Sequence, residues 1–238
     1  MITLAAFIKS KMEKKESRTL NQRLAGGATG AALADYATNS SPASFVVRNE
    51  RDRLNARRIF VIGSTTEPTD KYEKEAEKYN DLVQVDTIEH YHNITFKAQA
   101  WVQLLSSCPK TPAFIIKLDD DVMVDRVGMA YLVDRYSTSR RILGCRVLRH
   151  GSVVRNPASK WYLSHNEYHD SDLGTYCQGM AYVFSGDQLR HMRENILRVQ
   201  FLWMDDWYVT RALLSGSNTT LLDLSDHYCS TNSDEELL

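Results

Sequence analysis

At 238 residues the chain has the length of one domain and enough residues for a sizeable core. Its 43% apolar and 25% charged content is that of an ordinary globular protein, and a formal net charge of −1 argues against nucleic acid as the main partner. No stretch approaches the ~18–20 apolar residues of a membrane span, and residues 1–8, though apolar, are too short and lack the preceding basic segment of a signal peptide or anchor.

Residues 1–50 differ from the rest. Positions 9–23 are densely charged and 25–44 are a mixture of Gly, Ala, Ser, Thr and Asn, so this part is predicted to be a weakly ordered or peripheral N-terminal segment. Residues 51–230 form the expected domain and 231–238 a C-terminal tail. Within the domain the pattern alternates. Strands are predicted at 59–63, 82–87, 113–118, 141–148, 181–185 and 221–224, and helices at 69–79, 94–105, 127–136, 186–199 and 207–214. Residues 155–175 are polar and aromatic without a period and read as a loop. This β-α-β-α order predicts an α/β fold, a single domain whose mostly parallel sheet is covered by helices on both faces.

The strand at 113–118 runs directly into Asp119-Asp120-Asp121. At the C-terminal end of a strand in an open α/β sheet, such acids face the place where ligands bind. Crowded carboxylates repel unless a cation or proton compensates, and alternate ones can grip Mg²⁺ or Mn²⁺ with positions left for phosphates. The tripeptide alone fits an acidic solvated turn equally well. An EF-hand is excluded, because the sixth and twelfth positions from Asp119 are Val124 and Ala130 rather than Gly and Glu.

A second acidic pair, Asp205-Asp206, precedes a helical stretch between Trp203 and Trp207. One acid suits a helix N-cap. The other, shielded by aromatic rings, suits a general base, since apolar shielding raises a carboxyl pKa. His227, just after the last strand, is a candidate third metal ligand or a structural histidine. Lys160, Trp161, Tyr162, Glu167, Tyr168 and Tyr176 make an aromatic, polar loop of the kind that stacks on sugar rings or packs on a core. Gly179 next to it marks a bend or a close backbone approach. Cys108, Cys145, Cys177 and Cys229 form no C-x-x-C pair, which argues against structural zinc and leaves open two disulfides in any of three pairings or four free thiols. With the sequons at Asn39, Asn93 and Asn218 they lean toward a secretory compartment.

From about residue 57 to 224 these segments together resemble the β-1,3-galactosyltransferase family, glycosyltransferase family 31. Tyr79-Asn80-Asp81-Leu82, Asp86 and Tyr91-His92-Asn93-Ile94-Thr95-Phe96-Lys97 are similar to its YNDIL…D…Y-x-NLT-x-K stretch, and Lys117-Leu118-Asp119-Asp120-Asp121-Val122 to K-T-D-D-D-V. Lys160 to Ser164, Glu167-Tyr168 and Tyr176 to Ser185 resemble KWYVS…EYP…YCSGTGYVFS, and Asp205 to Thr210 resembles E-D-V-Y-V-G. Ala181, Trp207 and Thr210 stand where the family usually has Gly, Val and Gly. The family's basic segment ending in I-R-x-T-W is not recognisable, and its membrane anchor and targeting segment are not visible in this chain.

The resemblance implies a GT-A fold and an inverting transfer of a hexosyl group, galactose first and N-acetylglucosamine second, from a UDP-sugar donor to a glycan hydroxyl in β-1,3 linkage. It implies Mn²⁺ (or Mg²⁺) as cofactor, held by Asp119 and Asp121 with His227, and donor contacts from Asp119, Asp120, Asp121, Asp86 and Lys97. Asp206 would be the catalytic base, and Lys160, Trp161, Tyr162, Glu167, Tyr176 and Gly179 the acceptor surface. The expected partners are the UDP-sugar and a glycan or glycoprotein acceptor, in the Golgi lumen or at its membrane, in protein glycosylation. The alternative is a non-catalytic glycan- or nucleotide-binding relative of the same fold.

Overall fold

In a computed structural model of the chain, the described residues are 2–7, 56–64 and 70–228. Strands and helices alternate as β1 (Ile2–Phe7), β2 (Ala56–Ser64), α1 (Asp70–Tyr79), β3 (Leu82–Ile88), α2 (Ile94–Ser106), β4 (Phe114–Asp119), α3 (Arg126–Arg135), β5 (Ile142–Leu148), β6 (Tyr176–Ser185), α4 (Leu189–Asn195), α5 (Asp205–Trp207) and β7 (Thr220–Asp223). Short 3₁₀ turns flank several of them, and α5 runs on into a π-helical turn, Tyr208–Ala212. The sequon at Asn39, Cys229 and residues 231–238 lie outside the described residues.

The strands form one sheet in the order β3-β2-β1-β4-β6-β5-β7. β2 pairs with β3, and β5 with β7, in parallel. β1 is antiparallel to both β2 and β4, and β6 to both β4 and β5. Five strands therefore share one direction, and only β1 and β6 are reversed. The predicted α/β fold with a mostly parallel sheet is thus present. Ile2–Phe7, within the segment read as peripheral, instead occupies a mid-sheet position, with Ile2 opposite both Val61 and Asp119. The cause is geometric. β2 and β4 run the same way, and a reversed apolar strand between them completes the backbone ladder of each.

β4 shows how the sheet sorts its side chains. Ile115 packs in the larger core with Trp101, Leu104 and Leu105 of α2 and Leu189 and Met192 of α4. Phe114 and Ile116 point the other way, with Val183, onto Met129, Leu132 and Val133 of α3. This period of two places helices on both faces. Each fully buried aliphatic side chain contributes ~1.5–3 kcal/mol, so a strand with Phe114 to Lys117 all buried holds its terminal acids on a rigid base.

β6 starts five residues earlier than the apolar run at 181–185 indicates. Its first half, containing Gln178 and Gly179, pairs with β5 beyond an irregularity between Cys145 and Val147. Cys145 and Cys177 are joined there by a disulfide with a Cα–Cα distance of 5.7 Å; with Cys108 free, the arrangement is neither two disulfides nor four free thiols. The predicted helix at 186–199 is broken into a 3₁₀ turn and α4, where the Asn195 carboxamide turns to the Leu213 and Ser215 carbonyls at 3.1 Å each. The loop at 155–175 has no helix or strand, as expected. The Arg155 guanidinium staples it by donating to the carbonyls of Leu163 (2.8 Å), Tyr168 (2.7 Å) and Asp170 (2.8 Å). Among the described residues no helix is long and apolar enough to cross a membrane.

Candidate active site

The shared C-terminal ends of β3, β4 and β5 open onto a cleft of about 840 Å³. Ligands of open α/β sheets bind at this edge. Asp119 and Asp121 enter it from the end of β4, Gln178 and Gly179 from β6, Asp205 and Asp206 from the start of α5, and Glu89 and Lys97 from beyond β3 and from α2. Tyr91, Trp161 and Trp203 supply aromatic walls.

Two buried lysines organise its floor. Lys117, 2% exposed, donates to Asp119 Oδ1 and, at 2.5 Å, to the Gly179 carbonyl, and stands 3.9 Å from Asp205 Oδ2. One ammonium thereby ties β4, β6 and α5 together at the cleft. Lys97, 1% exposed, donates to Glu89 Oε1, and Glu89 Oε2 accepts the Gly63 N–H at 2.5 Å. Burial pushes the Glu89 carboxyl up, but the Lys97 and Gly63 hydrogen bonds outweigh it and leave the pKa lowered. Acids lining the cleft outnumber lysines five to three: Glu89, Asp119, Asp121, Asp205 and Asp206 against Lys97, Lys117 and Lys160.

Asp205 and Asp206 share the entrance of α5 but not an environment. The Asp205 side chain is 18% exposed, and its Oδ2 is shut off from solvent without a hydrogen-bond partner. Burial raises its pKa, opposed by Lys117 and reinforced by Asp119. The expectation that Asp205 caps the helix is not met by its geometry. The N-cap is Met204, and it is Asp206 Oδ1 that accepts a first-turn N–H, that of Trp207, at 2.7 Å. For Asp206, burial and then the neighbouring Asp205 charge push the pKa up to about 7. A Cβ at Gly179 would lie 3.2 Å from Asp206 Cβ, so glycine leaves room for this carboxyl.

The residues at unusual family positions hold this frame. Thr210 Oγ1 donates to the Asp206 carbonyl (2.6 Å) and accepts the Cys177 N–H (2.9 Å), while Trp207 Nε1 donates to the Leu173 carbonyl at 2.9 Å. They bind α5 to the disulfide-linked start of β6 and to the aromatic loop. The Tyr176 phenol, also in the cleft, is pushed up to about 12 by burial and then by Asp206, so it stays protonated and able to donate.

Of the sequence-predicted site residues, the structure brings Asp119, Asp121, Lys97, Lys160, Trp161, Tyr176, Gly179 and Asp206 into the cleft. Asp86, Asp120, Tyr162, Glu167 and His227 do not line it. Asp86 lies within β3, three residues short of Glu89, where the strand reaches the cleft. Asp120 is exposed in the turn after β4, and Tyr162 is half-buried beside Leu163. Glu167 Oε2 closes a turn on the Ser164 hydroxyl (2.6 Å) and N–H (2.9 Å), which lower its pKa. His227 is exposed in the turn after β7, with β5 and β6 between that strand and β4. Among the described residues no three His, Cys, Asp or Glu form a metal-ligating group.

Sequence reasoning missed Glu89 as a member of the site, placed Asp205 and Trp203 there only as neighbours of Asp206, and saw Lys117 only as part of a motif. An ammonium inside an apolar strand run, followed by three acids, is the one signal that pointed to Lys117. Glu89 carried none, because its partner Gly63 is distant in sequence.

The galactosyltransferase family model matches residues 43–224. Beta-1,3-galactosyltransferase 1 of Mus musculus is 27% identical over 154 residues, 63% of this chain and 47% of that protein. Beta-1,3-galactosyltransferase 5 of Homo sapiens is 26% identical over 154 residues, 63% of this chain and 49% of that protein. The chain thus spans about half the length of the curated relatives it matches.

Proposed function

The chain belongs to the galactosyltransferase family, and from that premise we propose that it is an inverting, UDP-sugar-dependent hexosyltransferase that moves galactose onto a glycan hydroxyl in β-1,3 linkage. The observation that carries the reading is the contrast within one cleft. A carboxyl with its pKa pushed up to about 7 faces a carboxylate pair at a strand end, across a floor of buried lysines.

A nucleoside diphosphate would bring its negative charge against the Asp119 and Asp121 carboxylates, a repulsion that a cation between them would relieve. Asp119 and Asp121 offer hard oxygen donors, and two carboxylates completed by substrate phosphates are an ordinary setting for such an ion. These residues fit Mn²⁺ or Mg²⁺, which when bound would neutralise the donor diphosphate and stabilise it as a leaving group. Lys117 holds Asp119 in place from below through its hydrogen bond. Asp206 has one oxygen committed to the Trp207 N–H, leaving Oδ2 to take the proton from the acceptor hydroxyl as it attacks. A base titrating near neutrality is matched to that transfer at physiological pH. Trp161, 48% exposed and lining the cleft, presents a ring to the acceptor sugar, with Lys160 Nζ 4.4 Å from its centroid. The Cys145–Cys177 disulfide favours an oxidising compartment, in keeping with a Golgi enzyme of protein glycosylation.

The test is incubation of the purified protein with Mn²⁺, a panel of UDP-sugars and galactosyl- or N-acetylglucosaminyl-terminated acceptors, with linkage analysis of the product. A β-1,3-linked galactosyl product is expected. UDP–Mn²⁺ binding without transfer to any acceptor would refute the enzymatic reading and favour a non-catalytic relative.

A further inference from the structure

The described residues contain two glycosylation sequons in opposite settings. Asn93 opens α2, and its Nδ2 donates to the Ile88 carbonyl at 2.9 Å. The hydroxyl residue of that sequon, Thr95, is fully buried and donates to the Leu202 carbonyl at 2.9 Å. Asn93 is thus built into the fold on both sides.

Asn218 is exposed, and so is Thr220, which completes its sequon. Asn218 has φ +53, and Gly216, two residues before it, has φ +76 with nothing within 4 Å of a Cβ added there. The backbone thus turns left-handed twice around Asn218, as in an exposed turn. Among the described residues the Asn218 carboxamide makes no hydrogen bond. The inner members of the turn are tied down instead, with Thr219 Oγ1 donating to Gln188 Oε1 and Ser217 Oγ to the Leu214 carbonyl. Thr220 then begins β7, which among the described residues pairs on one side only, with β5. An open strand edge is a template for pairing with other chains and is commonly blunted. No residue of 215–220 lines the catalytic cleft.

We propose that Asn218 is an N-glycosylation site whose glycan covers the open β7 edge of the sheet. The proposal rests on the secretory reading of the protein given above. In the reaction the Asn218 amide nitrogen attacks the anomeric carbon of a lipid-diphosphate-linked oligosaccharide. The N–C bond forms, the C–O bond to the diphosphate breaks, the lipid diphosphate departs with that electron pair, and an amide proton is released.

The experiment is expression of the full chain in eukaryotic cells behind a supplied secretion signal. Enzymatic deglycosylation in heavy-oxygen water, which converts each occupied Asn to labelled Asp, is followed by peptide mass mapping under non-reducing conditions. Label at Asn218 is expected, together with a Cys145–Cys177 cross-linked peptide. N218Q and T220A should each lose one glycan's mass, T220S should keep it, and N218Q should retain full transfer activity. An unlabelled Asn218 in protein carrying the disulfide overturns the proposal and leaves the secretory reading standing. An unlabelled Asn218 with Cys145 and Cys177 both free overturns the two together. Equal masses for N218Q and the parent also overturn it.

Discussion

Asp119 stands at the mouth of the cleft with 37% of its side chain exposed, and Asp121 beside it is exposed. Asp205 keeps 18% exposure and has one oxygen without a hydrogen-bond partner. The two regions carry the same side chain, and Lys117 lies between them, bonded to Asp119 and 3.9 Å from Asp205. Their backbones explain the difference. β4 ends in a turn that carries its acids outward, whereas α5 starts beneath Trp203 and against β6, with Trp207 hydrogen-bonded to the Leu173 carbonyl. Carboxylates at a mouth keep oxygens free for a cation and a phosphate. The recessed Asp206 carboxyl, pushed up to about 7, holds its proton into the neutral range and suits proton transfer. The same residue type thus serves two purposes according to its desolvation.

The hardest test of this division is Asp206→Asn, which keeps the shape and the Trp207 hydrogen bond but removes the acceptor of the proton. Transfer should fall by ~10²–10⁴-fold while UDP affinity with Mn²⁺, followed calorimetrically, stays near the parent value. Parallel loss of both would merge the two regions into one binding site. Asp121→Ala is the reciprocal change. UDP should bind the parent more tightly with Mn²⁺ than without it, and the variant should lose that gain. Equal UDP affinity in the parent with and without Mn²⁺ would remove the role given to the mouth acids.

The pH dependence sharpens the comparison further. Asp206 is active when ionised, so kcat/KM should rise with pH through a midpoint of about 7. Asp205→Asn removes the neighbouring charge, the second cause of the shift, and should move that limb to lower pH. A limb that does not move would place the titration elsewhere. The smallest effect is on stability. The Asp206 carboxyl binds its proton more tightly in the folded chain (about 7) than at its ordinary value of 3.8, so folding stability should fall as pH rises through this window. Asp206→Asn should therefore be more stable than the parent by about 2 kcal/mol at pH ~8, with the gap closing near pH ~3. Thermal denaturation at the two pH values measures it.

Much of the frame was legible because local pattern and tertiary role agree. The β-branched run before Asp119 reads as a buried strand and is one. The helices at Asp70–Tyr79, Ile94–Ser106 and Arg126–Arg135 start and end within a residue or so of the positions their patterns indicate. Legibility failed where residues serve the cleft. The first half of β6 presents Gln178 and Gly179 to the site, which breaks the alternation that marks a strand. The stretch after Asp205 reads as one helix, yet it passes from three α-helical residues into a π turn.

The sequence by itself determined the alternation of strands and helices, the acid run at a strand end, the second acid pair beside aromatics, and the family they spell together. All of these are local, written in neighbours along the chain. Tertiary structure decided which acid is recessed, which cysteines are joined, which sequon is free, and that Ile2–Phe7 closes the middle of the sheet. It also brought Glu89 to Lys97 and Gly63. Each of those outcomes depends on distances between segments far apart in sequence, and on the loss of water when they meet. No spacing along the chain encodes either.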